Sequence, residues 1–176
     1  MANKINKKSL EHILTVLLGI LLISSIFLTV YLINTPKVGV EFTEFYILNE
    51  DYKAYDYPTN PYVNESNTLI IGVRNYEYKP LNYRVWVFLS NKTYDYNYTF
   101  NITPEDRWNG TLSYNTSLTR EIFLKHNETV FIPLNFAVDS LGKHKIVFIL
   151  STNNSNRVYR SLHLWVNVSE PPKELI

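Results

Sequence analysis

Hydrophobic residues are concentrated near the amino-terminal end of the chain. Residues 13–33 form a run of 21 residues without a charged side chain, ILTVLLGILLISSIFLTVYLI. A helix rises about 1.5 Å per residue, so this run is about 30 Å long, the thickness of the hydrocarbon core of a bilayer. The pattern predicts one transmembrane helix, with residues 1–12 before it and a short linker, residues 34–39, after it.

Positive charge precedes the hydrophobic run. Lys4, Lys7 and Lys8 lie on its amino-terminal side, where only Glu11 opposes them. The positive-inside rule places residues 1–12 in the cytoplasm and sends the rest of the chain across the membrane. The run is longer than the core of a cleaved signal peptide and has no alanine near its end. We therefore expect a retained signal anchor rather than a cleaved signal.

The segment Ser9-Leu10-Glu11 permits a second interpretation. It is similar to the start of the hydrophobic segment in archaeal pilin precursors, which leaves a filament subunit as an alternative. The glycine that usually precedes the pilin cleavage point is absent, and Lys8 precedes Ser9 instead. We expect that Ser9 is the N-cap of the helix, because a serine hydroxyl accepts a hydrogen bond from a free backbone N–H.

Beyond residue 39 the pattern is that of β-strands separated by turns. Residues 49–67 are a polar, tyrosine-rich connection in which Pro58 and Pro61 exclude regular ladder pairing. Segments rich in β-branched and aromatic residues predict eight strands. They are Val40–Leu48, Thr68–Asn75, Leu81–Ser90, Tyr94–Thr103, Thr119–Lys125, Glu128–Phe136, His144–Thr152 and Arg157–Val168.

The predicted fourth strand has the clearest alternation in the chain. Its hydrophobic positions are Tyr94, Tyr96, Tyr98, Phe100 and Ile102. Polar residues occupy the alternate positions, which is typical of a strand with one buried and one wet face.

The strand pattern predicts the fold class. Seven to eight short strands at fairly even spacing, with no second helical pattern, are typical of an immunoglobulin-like antiparallel β-sandwich. We place this mainly β domain at residues 40–168 and a carboxy-terminal tail at residues 169–176. In its last strand Leu162, Leu164, Val166 and Val168 are expected to face inward.

Composition narrows the functional classes. A net charge of +1 gives no basic surface for nucleic acid. Cysteine is absent, which excludes disulfides, thiolate nucleophiles and cysteine-bound metal centres. The outer domain must then be held by core packing alone, and its size is sufficient for that.

Asparagine sequons are the second strong signal. The chain has 20 asparagines, and its serine and threonine content would give about three Asn-x-Ser/Thr sequons by chance. Nine occur, all after the hydrophobic run, on the side that the charge rule places outside. We therefore predict N-glycosylation, against the alternative of an asparagine-rich composition with unused sites. The candidates are Asn64, Asn91, Asn97, Asn101, Asn109, Asn115, Asn127, Asn153 and Asn167.

Several segments resemble a known family. They are Thr43–Leu48, Tyr57–Asn60, Ile70–Asn75, Asn82-Tyr83 and Tyr159–Val166. Together they resemble, over roughly residues 36–168, the archaeal membrane-protein family known as domain of unknown function 1616. The resemblance implies an archaeal envelope protein with a β-rich domain on the outer face. The chain departs from the family pattern at Asn49, Asn64-Glu65 and Tyr76, and it has one predicted span where many members have several.

No pattern in the sequence identifies catalysis. The histidines His12, His126, His144 and His163 have no metal-ligand spacing, and we expect each to be a surface or hydrogen-bonded group. A Gly-x-Ser-x-Gly elbow and a glycine-rich phosphate loop are absent. We expect no enzymatic activity, no metal and no cofactor. Two alternatives stay open: catalytic carboxylates at Glu105-Asp106 or Glu50-Asp51, and a calcium site formed by Glu50, Asp51 and Asp56.

Aromatic side chains are the remaining candidates for partner contact. They are Tyr52, Tyr55, Tyr57, Tyr62, Tyr76, Tyr78 and Trp165. Exposed Tyr and Trp are favoured at interfaces, although the tyrosines could instead pack over the end of the sandwich. Trp165 falls on the outward face of the last strand, whereas Trp86 lies in an apolar strand and is expected in the core.

The sequence leads to one functional hypothesis and two alternatives. The hypothesis is a membrane-tethered, glycosylated envelope protein whose β-sandwich serves interaction or structural packing at the cell surface. Its expected partners are the lipid bilayer and other envelope proteins or glycans, without nucleic acid. The alternatives are a pilin-like filament subunit and a carbohydrate-binding module or hydrolase of the envelope polymer.

Overall fold

The computed structural model describes residues 7–35, 39–105, 107–153 and 155–172. Within these residues it contains one helix, α1 (Lys7–Asn34), and eight strands. The chain divides into two compact units, Met1–Val40 and Glu41–Ile176. The strands are β1 (Thr43–Leu48), β2 (Asn67–Asn75), β3 (Leu81–Leu89), β4 (Gly110–Leu112), β5 (Ser117–Leu124), β6 (Thr129–Val138), β7 (Gly142–Thr152) and β8 (Arg160–Val168).

Helix α1 is apolar on every side and longer than the predicted span. Its side chains from Lys8 to Asn34 are all exposed, and its composition and length are those of a membrane-crossing helix. Hydroxyl groups within it bond back to the helix, as in the 2.8 Å hydrogen bond that Thr29 Oγ1 donates to Ser25 O. This satisfies the polar atoms that a hydrocarbon environment would leave without partners.

The prediction that Ser9 is the N-cap of this helix is wrong. Helical backbone already begins at Lys7, so Ser9 lies inside the first turn, where an N-cap residue cannot be. The charged residues on this flank permit the helix to start earlier than the uncharged run because Lys and Glu are good helix formers.

The eight strands form two sheets packed face to face. The first sheet has the order β1-β2-β6-β4 and the second has the order β5-β3-β7-β8. Neighbouring strands are antiparallel, except that β4 runs parallel to β6. With β1, β2 and β6 in one sheet and β3, β7 and β8 in the other, this is an immunoglobulin-like β-sandwich, and the predicted fold class is confirmed.

The main core lies between the two sheets. It is formed by alternate residues of each strand, among them Leu69, Ile71, Tyr83, Phe136 and Phe148, all of which are fully buried. In β8 the predicted inward residues Leu164, Val166 and Val168 are buried and Leu162 is half-buried, as the alternation indicated. Apolar burial on this scale stabilises the domain by about 25 cal/mol per Å², without disulfides.

The predicted strand Tyr94–Thr103 is wrong. Its residues form turns and one isolated bridge, Thr99 to Arg157, and they lie across the outer face of the second sheet. Here Tyr94 and Phe100 are buried in a second apolar cluster, whereas Tyr96 and Tyr98 are exposed. The strand β3 already has β5 and β7 as neighbours, so this segment cannot pair with it as a further strand. The outer face of β3 needs an apolar cover, and the segment provides it.

The members of this second cluster come from the outer face of the second sheet and from the segments that cover it. They are Trp86, Phe88, Tyr94, Phe100, Val147, Ile149 and Val158. Trp86 is fully buried, so its predicted core position is confirmed. Its indole N–H donates a 2.9 Å hydrogen bond to Ser151 Oγ, which satisfies the one polar atom of the ring.

Two further differences from the predicted strands concern short segments. The strand β4 lies in residues 104–118, where no strand was predicted, because three residues are too few to give a periodic pattern. In the connection 49–67 regular ladder pairing is absent up to Asn67, the first residue of β2, and the connection covers the free edge of β8 with irregular bonds. Asn167 N donates to Thr59 O at 2.7 Å and Val63 N donates to Ser169 O at 2.9 Å. The other seven predicted strands are present, with ends shifted by up to three residues.

Candidate functional site

All nine sequon asparagines are exposed on the β-sandwich unit. Eight lie in turns or loops and Asn167 lies in β8. Four of the turn asparagines have a left-handed backbone, which asparagine tolerates better than most residues. They are Asn64 (φ 60°), Asn97 (φ 67°), Asn127 (φ 67°) and Asn153 (φ 53°). Every acceptor is therefore presented at the surface, and its use remains a prediction.

Two of the nine sequon asparagines accept a hydrogen bond at their side-chain oxygen. Arg74 Nη2 donates a 3.0 Å hydrogen bond to Asn127 Oδ1. Asn135 N donates a 3.0 Å hydrogen bond to Asn109 Oδ1. A glycan is attached at the side-chain nitrogen, so both contacts orient the amide by the atom that is not modified.

The seven aromatic residues predicted for partner contact do not form one surface. Five of them are exposed: Tyr52, Tyr55, Tyr62, Tyr78 and Trp165. Tyr57 and Tyr76 are half-buried. The Tyr57 ring packs against the main core and its hydroxyl donates a 2.9 Å hydrogen bond to Ile47 O. Tyr57 therefore follows the alternative expectation, in which the tyrosines pack over the sandwich.

Two tyrosines in the β2–β3 connection stack on neighbouring rings. The Tyr76 ring stacks on Phe42 at a centroid distance of 4.8 Å, and the Arg74 guanidinium lies 4.4 Å from the Tyr76 centroid. The Tyr78 ring stacks on His126 at 4.7 Å. These contacts join the β2–β3 and β5–β6 turns at one end of the sandwich.

An aromatic patch lies on the outer face of the first sheet, and of its members only Tyr52 was predicted for partner contact. We define it as Tyr46, Tyr52, Phe131 and Pro133. Phe131 is 45% exposed and Tyr52 is 57% exposed, and their ring centroids are 5.6 Å apart. Tyr46 contacts Phe131 edge to face at 6.4 Å. The sequence signal of this aromatic patch is the alternation in β6, where Phe131 occupies an outward position of a strand with one buried face.

Trp165 lies on the outer face of the second sheet in a basic surrounding. The ring is 44% exposed, which agrees with its predicted outward position. Lys143 Nζ lies 4.8 Å from the ring centroid and Lys145 Nζ lies 6.0 Å from it. His163 contacts the ring edge to face at 6.4 Å. This arrangement gives the exposed ring a defined orientation.

A buried polar cluster lies at the end of the main core. It consists of Thr43, Glu77, Tyr83 and Tyr159. Thr43 Oγ1 donates a 2.9 Å hydrogen bond to Glu77 Oε1 and lies 2.8 Å from the Tyr83 hydroxyl. The Tyr159 hydroxyl also donates to Glu77 Oε1. Each buried polar group thereby has a partner, which burial of a carboxylate requires.

Burial shifts the titration of the two tyrosines in this cluster. It raises the pKa of Tyr83 to about 12, with the hydrogen bond to Thr43 acting in the opposite direction. Burial also raises the pKa of Tyr159, and the hydrogen bond to Glu77 adds to that increase. Both hydroxyls therefore remain neutral donors over the physiological range.

Three members of the buried polar cluster come from the segments that carry the family resemblance. Thr43, Tyr83 and Tyr159 belong to separate segments of the sequence, and the fold brings them together around Glu77. Sequence reasoning missed Glu77, because an acidic residue in a predicted hairpin turn gives no signal of burial. The nearby Asn75 adds support by accepting a 2.7 Å hydrogen bond from Glu77 N.

A cleft with a volume of about 640 Å³ lies beside β5. Three arginines and two glutamates line it, and four of these five are joined in ion pairs, Arg84 with Glu121 and Arg107 with Glu105. The charges are therefore largely compensated within the protein. Of the predicted carboxylate pair, Glu105 lines this cleft and Asp106 lies outside the described residues.

The described residues provide no cluster of three His, Asp or Glu side chains close enough to hold a metal ion. In the predicted calcium loop Asp51 instead pairs with Lys53 at 3.7 Å. His144 is buried and hydrogen-bonded to Ser140 O at 2.9 Å, which confirms its predicted role as a hydrogen-bonded group.

The described residues thus combine an apolar helix of membrane-spanning length with an immunoglobulin-like β-sandwich. These features fit the class of membrane-anchored β-domain proteins. The chain belongs to the family described as domain of unknown function 1616, whose model matches residues 36–167. The resemblance seen in the sequence is therefore confirmed.

Comparison with solved structures finds distant similarities. The CARDB domain of the PF1109 protein from Pyrococcus furiosus, solved in complex with di-metal ions, is 13% identical with a TM-score of 0.44. The match covers 77% of this chain and 99% of that domain. A β-glucosidase from Listeria innocua is also 13% identical, with a TM-score of 0.42 over 74% of this chain and 16% of the enzyme.

A third similar structure is the GH3 β-glucosidase of Bifidobacterium adolescentis. It is 10% identical, with a TM-score of 0.33 over 78% of this chain and 20% of that one. The chain therefore spans a sixth to a fifth of the two enzymes, and similarity at this level transfers neither activity nor ligand. Comparison with curated protein sequences finds no significant match.

Proposed function

We propose that this protein is a single-pass membrane protein of the archaeal cell envelope. Its N-glycosylated outer domain serves interaction or structural packing at the cell surface and catalyses no reaction. The observation that carries the proposal is α1, whose side chains from Lys8 to Asn34 are apolar in the main and all exposed. In water such a helix would expose a large hydrophobic surface, whereas a bilayer solvates it.

Charge and sequons support one orientation of the helix. Three lysines precede the uncharged run, and all nine exposed sequons follow it. The positive-inside rule retains the lysines in the cytoplasm, and glycan transfer takes place on the opposite side of the membrane. Both features point to a cytoplasmic amino terminus and an outer β-sandwich.

The positions of the sequons also support a contact face. The outward positions of β1, β2 and β6 contain no sequon asparagine, whereas Asn64, Asn109 and Asn127 lie at the ends and far edge of this sheet. Glycans at these three sites would border the aromatic patch and leave its centre open. Exposed aromatic residues of this kind are favoured anchors for a protein partner.

Fractionation of native cells tests the membrane anchor. We expect the full chain to remain in the membrane fraction after a high-pH carbonate wash and to be released by detergent. Intact-mass and glycopeptide measurements on the extracted protein should find glycans on several sequons, and enzymatic or chemical deglycosylation should remove that mass. Recovery of the chain without detergent, or nine unmodified sequons, would contradict the proposal.

Cross-linking in native membranes tests the contact face. Replacing Phe131 with Ser should weaken partner binding by about thirtyfold and reduce the yield of cross-linked partner accordingly, because a buried aromatic anchor contributes about 2 kcal/mol to an interface. Phe123→Ser is the matched control, because Phe123 is an exposed phenylalanine on a strand of the other sheet. An equal yield from the two variants would show that the aromatic patch is not the contact surface.

A specific observation favours carbohydrate binding as a second candidate function. Tyr55 is 56% exposed and lines a cleft of about 420 Å³ with Asn49, Glu50, Asp51 and Asn67. An aromatic ring beside amide and carboxylate groups suits a sugar, which has one apolar face and a hydroxyl rim. On a glycan array Tyr55→Ala should abolish binding and Tyr62→Ala should retain it. Unchanged binding by Tyr55→Ala would remove this candidate.

A further inference from the structure

Asn167 differs from the other eight sequon asparagines in its secondary structure. It is the only one inside a strand, β8, and the burial of that strand alternates strictly from Ser161 to Val168. Trp165 is two residues before Asn167 and therefore points to the same outer face. Two residues along a strand are separated by about 6.6 Å, which is close to the width of one sugar ring.

The neighbours of Trp165 leave part of its ring uncovered, although Lys143, which is opposite Asn167, has its Nζ 4.8 Å from the ring centroid. His163 contacts the ring from the preceding outward position of β8. On the neighbouring strand Lys145 is paired with Trp165 and Lys143 is paired with Asn167. The ring is thus bounded along the strand by His163 and across it by the lysines, and it is still 44% exposed.

The other sequons lack this arrangement. Asn97, Asn101, Asn109 and Asn115 each directly follow an aromatic residue, but they lie in turns or loops, where no strand alternation places two side chains on one face. Tyr62 is two positions before Asn64, but Asn64 lies in a turn with a left-handed backbone, so the two do not share a strand face. Asn91, Asn127 and Asn153 have no Phe, Tyr or Trp within the two preceding positions. Asn167 is the one acceptor whose strand register places an exposed indole beside the attachment point.

We propose that Trp165 is the packing platform for the first sugars of a glycan attached to Asn167. This inference rests on the N-glycosylation in the proposed function. The apolar C–H face of a sugar ring packs against the face of an indole, and the contact removes apolar surface of both from water. In this arrangement the glycan is the intramolecular partner of the exposed Trp165, and it becomes an ordered part of the second sheet.

A double-mutant cycle tests the platform in the full-length, glycosylated chain in detergent. The four proteins are the wild type, Trp165→Ala, Asn167→Gln and the double variant, with site occupancy measured by glycopeptide mass. Asn167→Gln should lower the unfolding temperature of the wild type by about 2–4 °C, the shift expected for loss of one modest contact in a domain of this size. In the Trp165→Ala background it should cause less than half of that shift.

Two further variants separate the platform from a general effect of glycans or of the asparagine. Ser169→Ala removes the sequon while retaining Asn167, and it should reproduce the Asn167→Gln result. Asn115→Gln removes an acceptor in a turn without a neighbouring indole, and its effect should be the same with and without Trp165.

The outcomes distinguish this inference from the proposed function. An occupied Asn167 with additive effects of the two substitutions would overturn the platform and leave glycosylation intact. A bare Asn167 beside other occupied sequons would also overturn the platform alone. Nine bare sequons would overturn both the platform and the glycosylated envelope protein on which it rests.

Discussion

At Gly72 the absence of a side chain has a specific packing reason. Gly72 lies between Tyr46 of β1 and Phe131 of β6 in the strand register. The Tyr46 ring lies over it, and a β-carbon at Gly72 would collide with Cε2 and Cζ of that ring. A strand glycine covered by a cross-strand aromatic residue is a known way to stabilise a position without a side chain. Gly72 and Tyr46 both belong to segments that carry the family resemblance.

Gly72→Ala should destabilise the β-sandwich by about 1–2 kcal/mol, because the added methyl group displaces the Tyr46 ring. Denaturant unfolding of the full-length chain in detergent measures the change. In a Tyr46→Ala background the same substitution should cost less, since the colliding ring is gone. Equal costs in the two backgrounds would contradict the role of Tyr46.

The buried polar cluster predicts alkaline sensitivity. The folded-state pKa of Tyr83, about 12, is above the value of 10 for an exposed tyrosine. The neutral hydroxyl is therefore favoured in the folded state, and its stabilising contribution is complete below pH 10 and lost as the pH rises toward 12. We expect the free energy of unfolding to decrease across this window.

Tyr83→Phe should make that decrease shallower while costing about 1 kcal/mol at neutral pH through the lost hydrogen bond to Thr43. Tyr96→Phe is the matched control, because Tyr96 is 64% exposed. Denaturant unfolding at several pH values between 8 and 11.5 measures both variants. Identical pH profiles for Tyr83→Phe and the wild type would show that Tyr83 does not titrate in this way.

At the scale of elements, the segment after β3 shows where sequence periodicity is insufficient. The alternation from Tyr94 to Ile102 is real, but it serves a cover over the outer face of the second sheet rather than a strand. Backbone bonds attach the cover to residues 156–158, for example from Asn97 N to Val158 O at 2.9 Å. The continuous apolar run of β3 contained the missing signal, because a strand that is apolar on both faces must be covered on both.

The two kinds of aromatic position in this cover should differ in energy. Phe100→Ala should cost about 3–4 kcal/mol, because the ring is 3% exposed and contacts Trp86 edge to face at 5.0 Å. Tyr98→Ala should cost less than about 1 kcal/mol, because that ring is 45% exposed. Denaturant unfolding measures both, and the regular strand predicted from alternation would instead require similar costs.

At the scale of the whole molecule, physical patterns of different strength decided what could be predicted. The uncharged run gave the helix, and strong two-residue alternation in β6 and β8 gave the sandwich and its core. The parallel pairing of β4 with β6 and the burial of Glu77 depend on contacts between distant segments, for which one sequence provides no signal. The aromatic patch was within reach, since burial alternates along β6 and Phe131 occupies one of its exposed positions.

The central claim is that α1 spans the membrane and places the β-sandwich outside. Labelling of intact cells with a membrane-impermeant amine reagent, followed by peptide mapping, tests it most directly. We predict modification of the exposed lysines Lys79, Lys125 and Lys143, with Lys4, Lys7 and Lys8 modified only after lysis. Labelling of the amino-terminal lysines in intact cells, with the sandwich lysines protected until lysis, would contradict the account.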